Sequence, residues 1–152
     1  MKRVCLGTVG GLLLTLPMLA AQPGLHAQFV GGTLPGIAAK SSARVDISDA
    51  GALVLQSGKA EVLIPYVKVN SIEYGQSVSR RYAAAVLISP VLLLSKSRKH
   101  FVTLEYGDDE GKQQVLVLRV DKGDIRSLLA GLEARTGRRI EYQDDEARKG
   151  NR

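Results

Sequence analysis

Short runs of alternating apolar and polar residues, separated by turn residues, dominate the chain from Ala43 onward. Alternation with a period of two is typical of strands that bury one face, and clusters of Asp, Gly and Ser are typical of turns. The pattern predicts six strands: Arg44–Ile47, Ala52–Gln56, Ala60–Ile64, Val69–Tyr74, Phe101–Tyr106 and Gln114–Val120. A last short run, Arg139–Tyr142, is a candidate seventh strand.

A helical period replaces this alternation near the C-terminus. Four apolar residues recur at the i, i+3, i+4, i+7 spacing of one helix face: Ile125, Leu128, Leu129 and Leu132. Asp121 fits the N-cap of this helix, and Gly137 stands where a C-terminal glycine is favoured. Because the stripe must be buried, the helix is expected to cover a sheet. We predict a mostly β fold, a curved antiparallel sheet or partial barrel of about six to seven strands, capped by a C-terminal amphipathic helix.

The first 27 residues have the layout of a secretory signal peptide. Lys2 and Arg3 form a positive start, Val4–Ala21 is almost wholly apolar, and a cut after Ala27 or after Ala21 would follow a small residue. The alternative is an uncleaved anchor, although 18 residues interrupted by glycine and proline are at the short end for a membrane span. We expect an exported protein, periplasmic or secreted. Residues 28–42, rich in Gly, Pro and Ser, are predicted to be a flexible lead-in to the domain.

Export changes the chemistry that the chain can offer. Cys5 is the only cysteine, so no internal disulfide can form, and cleavage removes this one thiol as well. Cleavage after Ala27 also removes His26, which leaves His100 as the only histidine. Because Lys2 and Arg3 are the only charged residues before Gln28, the net charge falls from +6 to +4. A mildly basic chain attracts phosphates and anionic lipid headgroups, although such a charge is also common in proteins that are merely soluble.

A long apolar segment with basic ends lies in the middle of the chain. Tyr82–Ser95 is apolar almost throughout and is divided by Pro90; Arg80, Arg81, Lys96, Arg98 and Lys99 flank it. An apolar loop of this kind can enter the acyl region of a membrane while its basic flanks meet phosphates. Alternatively, 83–94 is a buried helix and strand of the domain, and the cations are its solvated ends. The five cations are the candidate site for anionic membrane or another anion.

No catalytic, metal-binding or cofactor-binding motif is found in the sequence. His100 lies among cations, which lower a histidine pKa, and no nucleophile motif accompanies it. The acidic run Asp108–Glu110 is too short and irregular for a calcium loop and is expected to be a solvated hairpin tip. Nucleic acid is not an expected partner, because no platform of basic and aromatic residues is evident. We therefore expect no enzyme activity, no cofactor and no metal.

Four segments resemble a group of exported bacterial proteins of the pleckstrin-homology-like (PH-like) superfold. They are Ile64–Tyr66, Ser71–Gly75, Ser95–Phe101 and Leu129–Ile140. The resemblance covers residues 43–143 and implies a PH-like domain, followed by a charged tail over 144–152 that is expected to be disordered. It carries no catalytic motif, and members of the superfold bind lipid, peptide or protein.

The function expected from these observations is that of an exported, non-enzymatic binding module. In the leading hypothesis it contacts anionic membrane surface through the basic-flanked apolar segment. In the alternative it is a periplasmic protein-interaction module that binds a peptide or an envelope protein at a sheet edge or helix groove.

Overall fold

The computed structural model describes residues 24–85 and 99–143. The segment 1–23, the tail 144–152 and residues 86–98 lie outside the described residues. Lys96, Arg98 and most of the apolar segment therefore lie outside the described residues.

The order of elements follows the predicted pattern, with one additional strand at the beginning. The elements are β1 (Leu25–Gly32), β2 (Ser41–Asp46), β3 (Ala52–Ser57), β4 (Ala60–Pro65), a 3-10 helix (Tyr66–Lys68), β5 (Val69–Gly75), α1 (Arg80–Ala85), β6 (His100–Gly107), β7 (Gln113–Val120), α2 (Lys122–Thr136) and β8 (Ile140–Tyr142). The mostly β class, the predicted strands and the single C-terminal helix are confirmed.

Within the described residues the strands form one sheet of eight, in the order β4-β3-β2-β1-β7-β6-β5-β8. Neighbouring strands are antiparallel except that β8 runs parallel to β5, with Ile72 opposite Ile140. The sheet is not closed into a barrel, since β4 and β8 stand at its two ends. The strand count exceeds the predicted six to seven, and the last strand does not follow the antiparallel expectation.

Strand β1 corrects the prediction that residues 28–42 are a flexible lead-in. Residues 25–29 pair with β2 and residues 27–32 with β7, so β1 joins the two halves of the sheet. Phe29 is buried in the core. Gly32, which suggested a loop, serves close packing instead, because a Cβ on it would lie 2.5 Å from the Val115 carbonyl oxygen. Leu34 and Ile37, in the loop after β1, also pack against the core.

Side chains of alternate strand residues divide between two faces of the sheet. On β7, Leu116, Leu118 and Val120 belong to the main core, whereas Val115 and Val117 belong to a second cluster. We call the first the inner face and the second the outer face.

Helix α2 covers the inner face with the four apolar residues predicted from its spacing, all of them buried. Asp121 occupies the N-cap position in an extended conformation without a capping side-chain hydrogen bond, and Gly137 ends the helix in the left-handed conformation at φ 67°. A Cβ on Gly131 would lie 2.3 Å from Ile47 Cδ1, so glycine allows the helix to approach the end of β2 closely.

The connection from β5 to β6 covers the outer face. Its residues Val78 and Tyr82 are buried against Phe101 and Val117 in the second cluster. Helix α1 therefore lies on the side of the sheet opposite α2.

Candidate functional site

Three cationic side chains surround a cleft where β6 begins and β7 ends. In the antiparallel pair β6–β7, His100 lies opposite Val120 and Phe101 opposite Arg119. Helix α2 starts immediately after β7, which brings Lys122 to the same place. The cleft has a volume of about 320 Å³ and is lined by Lys99, His100, Arg119, Val120, Asp121 and Lys122. We call it the basic cleft.

A second cleft of about 270 Å³ adjoins the basic cleft and shares Arg119 and Asp121 with it. Its other lining residues are His26, Ala27, Gln28 and Ser42, from β1 and β2. The two clefts together extend from the start of β6 across β7 and β1 to β2, so an elongated polar ligand would have several hydrogen-bond donors along this path.

The positive charges of the basic cleft are not neutralised by salt bridges. In the described part of the chain, the ion pairs join Lys68 to Asp109 and Arg81 to Glu73 and Glu141. Lys99, Arg119 and Lys122 are in none of these pairs. The nearby carboxylate of Asp124 accepts a hydrogen bond from the His26 backbone N–H at 3.2 Å. Asp121 contributes one negative charge to the lining, so the three cations exceed the acidic charge of the cleft.

His100 contributes its imidazole ring to the lining of this cleft. Its Nδ1 lies 2.6 Å from the Tyr74 hydroxyl, which is buried at the end of β5. Burial and the nearby Lys122 charge lower the pKa of His100 below its usual value. When Nδ1 accepts the hydrogen bond from the Tyr74 hydroxyl, the N–H of the neutral ring is at Nε2 and can donate to an anion. Among the described residues, the hydrogen bond of the ring is the one to the Tyr74 hydroxyl.

Arg81 lies away from the basic cleft, beside β5 and β8. Its Nη2 is 3.2 Å from Glu73 Oε2 and 3.5 Å from Glu141 Oε2. The same nitrogen is 2.6 Å from the Tyr82 hydroxyl, and the guanidinium lies 4.4 Å from the centre of the Tyr82 ring. Because two carboxylates already balance its charge, Arg81 is placed to hold α1 on the sheet.

A polar network beneath α1 completes this attachment. The Tyr82 hydroxyl lies 3.2 Å from Glu105 Oε2, and Ser71 Oγ lies 3.1 Å from the same oxygen. Glu73 is itself buried, and its second oxygen accepts a hydrogen bond from Gln143 Nε2 at 2.7 Å. The start of the apolar segment, Tyr82 and Ala83, is buried. At this end the segment therefore packs on the domain, and residues 86–94 lie outside the described residues.

The structure thus separates the predicted site residues that it describes. Lys99 lines the basic cleft, Arg81 is bonded at the β5–β8 end, and Arg80 is exposed on α1. Lys96 and Arg98 lie outside the described residues. Sequence reasoning missed Arg119 and Lys122, although a hairpin between β6 and β7 necessarily brings the start of one strand beside the end of the other. The hairpin prediction therefore contained the signal that could have found them.

Comparison with known proteins adds no relative: no protein-family model matches the chain, and no similar curated protein was found. Within residues 24–85 and 99–143, no group of three or more His, Cys, Asp and Glu side chains is placed to hold a metal ion. In the same residues, no helix combines the length and apolar character needed to cross a membrane.

Proposed function

We propose that the protein is an exported, non-enzymatic binding module with a PH-like fold that contacts anionic membrane surface through the basic cleft. The observation that carries the proposal is the convergence of Lys99, Arg119 and Lys122 on one cleft without salt-bridge partners among the described residues. Each Lys or Arg held near an anionic leaflet contributes about 1 kcal/mol of attraction. Three of them are enough for salt-sensitive association, particularly when the neighbouring segment adds apolar contact.

The strand order supports the PH-like part of the proposal. Strands β1 to β4 form one antiparallel meander and β5 to β7 another, and the pairing of β1 with β7 joins them. The C-terminal helix packs on the inner face, against core residues of both meanders, as the resemblance implies. The parallel strand β8 is an addition at the edge of this arrangement.

Of the five cations in the leading hypothesis, Lys99 is the one best supported as a membrane contact, because it lines the basic cleft. Arg81 is used within the domain, so its contribution to lipid contact is expected to be small. Lys96 and Arg98 precede Lys99 in the chain by three residues and one residue, and both lie outside the described residues.

Co-sedimentation with lipid vesicles tests the proposal directly. The chain without residues 1–21 is mixed with phosphatidylglycerol-containing vesicles and with pure phosphatidylcholine vesicles, each at 50 mM and 500 mM salt. We expect binding to the anionic vesicles alone, lost at high salt because screening shortens the range of surface charges to a few ångströms. The double variant Lys99→Glu/Arg119→Glu should weaken binding by roughly tenfold or more.

A matched control separates the cleft from net charge. Lys59→Glu/Arg139→Glu changes the net charge by the same amount at two exposed positions outside the cleft. This variant should bind nearly as well as the parent chain. If both double variants weaken vesicle binding equally, the attraction comes from the net charge of the chain and not from the cleft. If the parent chain binds no vesicle, the membrane proposal is overturned.

A second candidate function, protein binding, is favoured by one observation at the other end of the sheet. Strand β4 forms an edge, and Leu63 on it and Val67 just after it are the large apolar side chains most exposed in the described residues, at 60% and 89%. An open edge with exposed apolar residues can accept a strand from a partner. A photo-crosslinking residue at Val67 should then capture one discrete envelope protein, and Leu63→Lys should abolish that product. Failure to capture any protein would exclude this edge as the binding surface.

A further inference from the structure

The structure assigns the site at which the exported chain is cut: we infer that the signal peptide is removed at the Ala21–Gln22 peptide bond, and not after Ala27. The inference rests on the export component of the proposed function. It goes beyond that component because it selects one of two candidate bonds, and it does so from the pairing of strand β1.

Residues before Gln28 are part of the sheet. Leu25 lies opposite Val45, and Ala27 lies between Ala43 of β2 and Val120 of β7. Leu25 and Ala27 also pack against the main core. A cut after Ala27 would therefore remove three of the eight residues of the strand that joins the two halves of the sheet.

Polar contacts of the same residues would be lost as well. The His26 backbone N–H donates to Asp124 Oδ2 at 3.2 Å, which connects β1 to the first turn of α2. The chain passes close to β2 already at Gly24, where a Cβ would lie 2.4 Å from Arg44 Cγ. These contacts place the beginning of the folded domain at Gly24 or before it.

A cut after Ala27 would also introduce a charge at an unfavourable place. Gln28 would become the N-terminus, and its α-ammonium would stand in the middle of the sheet, opposite Ser42 on one side and Arg119 on the other. Arg119 is cationic, and like charges directly opposite each other on neighbouring strands destabilise a sheet. A cut after Ala21 keeps all eight residues of β1 and leaves Gln22 and Pro23 before the first described residue.

The sequence around Ala21 meets part of the chemical requirement for this cut. Ala21 is the small residue directly before this bond and lies at the end of the apolar stretch, whereas Leu19, three residues before the bond, departs from the Ala-x-Ala pattern. In the reaction, water adds across the Ala21–Gln22 bond and the C–N bond breaks. Ala21 leaves with the new carboxyl group, and Gln22 keeps the amine.

Intact-mass measurement on the exported protein tests the inference. The full chain is expressed in a bacterium with a periplasm, and the periplasmic fraction is analysed. We expect a mass that begins at Gln22, with or without the loss of one ammonia when the new α-amine attacks the Gln22 side-chain amide. A mass that begins at Gln28, or at any other residue, overturns the inference while leaving export intact. Uncut chain that stays with the membrane also overturns the inference, and uncut chain that stays in the cytoplasmic fraction overturns the export proposal itself.

Two variants make the test independent of folding, because the precursor is read by mass from whole cells. Ala20→Leu/Ala21→Leu removes both small residues before the inferred bond and should leave the precursor uncut. Ala27→Leu should be processed as completely as the parent chain. The reverse pattern would assign the cut to Ala27.

A second readout measures what the three strand residues contribute. The chain that begins at Gln28 should melt about 5–10 °C below the chain that begins at Gln22, because it lacks the pairing and packing of Leu25 to Ala27. Equal melting temperatures would show that the start of β1 is dispensable and would remove the structural argument for the earlier cut.

Discussion

The two faces of the sheet are covered in different ways. The inner face is closed by α2 through apolar contacts, with Leu128, Leu129 and Leu132 almost completely buried. The outer face is closed by α1 through a mixture of apolar and polar groups, in which Tyr82 is buried beside the carboxylates of Glu73 and Glu105. Both coverings exclude water, but only the outer one depends on hydrogen bonds between charged side chains.

This difference has a physical consequence. Apolar burial has no direction, so a helix with a regular stripe is held wherever the stripe is hidden. Hydrogen bonds need defined distances and angles, so the polar network under α1 fixes where the β5–β6 connection leaves the sheet. The inner face is expected to contribute most of the stability, and the polar contacts of the outer face to fix the position of α1 on the sheet.

The largest expected effect is on the inner face. Leu128→Ala should lower the free energy of unfolding by about 3 kcal/mol, because it removes a buried side chain and leaves a cavity. Urea denaturation measures this loss. The control, Leu63→Ala at the exposed edge of β4, should cost less than about 0.5 kcal/mol. Similar losses in both variants would contradict the assignment of the core to the inner face.

Two tyrosine-to-phenylalanine variants compare the stability of the two faces, because each variant removes a single hydroxyl group. Tyr82→Phe should cost about 1–2 kcal/mol, since its hydroxyl bonds Arg81 and Glu105. Tyr66→Phe on the inner face should be neutral or slightly stabilising, because the buried Tyr66 hydroxyl has no hydrogen-bond partner among the described residues. Thermal or urea unfolding of both variants gives the comparison. If Tyr82→Phe did not lower the free energy of unfolding, the polar network would not hold α1 on the sheet.

Removing the Arg81 charge should separate anchoring from membrane contact. Arg81→Leu is expected to cost about 0.5–1 kcal/mol of stability, a small value because the side chain is more than half exposed and its ion pairs are screened by solvent. Vesicle binding of the same variant should change by less than about twofold, in contrast to Lys99→Glu/Arg119→Glu. Strong loss of vesicle binding in Arg81→Leu would return this residue to the membrane-contact site.

The smallest expected effect is a pH dependence at the rim of the inner face. Because burial and Lys122 lower the folded-state pKa of His100 below 6.5, the unfolded chain takes up the proton more readily. The His100 contribution to stability is therefore complete above about pH 6.5 and decreases as the pH falls below it. Urea unfolding at pH 7.5 and 5.5 should show this decrease, and His100→Asn should reduce it.

The carboxyl groups of Asp49 and Asp108 do not obscure this measurement. Hydrogen bonds from the Gly51 backbone and the Gln114 side chain lower the pKa values of Asp49 and Asp108, so their contributions are lost only below the usual pKa of 3.8. Lys122→Ala offers a second check, since removal of that charge should also reduce the decrease between pH 7.5 and 5.5. An unchanged decrease in both variants would contradict the assignment to His100.

Much of the fold could be predicted because its signals are local. The strands from β2 to β7 alternate with a period of two, and α2 shows its stripe, its N-cap position and its terminal glycine within one stretch of chain. Strand β1 could not be predicted in this way, because the Gly31–Gly32 pair has the local character of a loop. Gly32 is explained only by a neighbour far along the chain, the Val115 carbonyl group.

For the candidate site too, some features follow from the local sequence and others only from the fold. The sequence by itself determined that basic residues flank an apolar segment. It also determined that no cysteine follows the apolar N-terminal stretch, and that the histidines after that stretch are His26 and His100. Only the tertiary structure decided that Lys99 stands with Arg119 and Lys122, whereas Arg81 is bonded to Glu73. The physical reason is that charge and periodicity are properties of neighbouring residues, whereas the partner of a charge depends on which distant strand and helix ends the fold brings together.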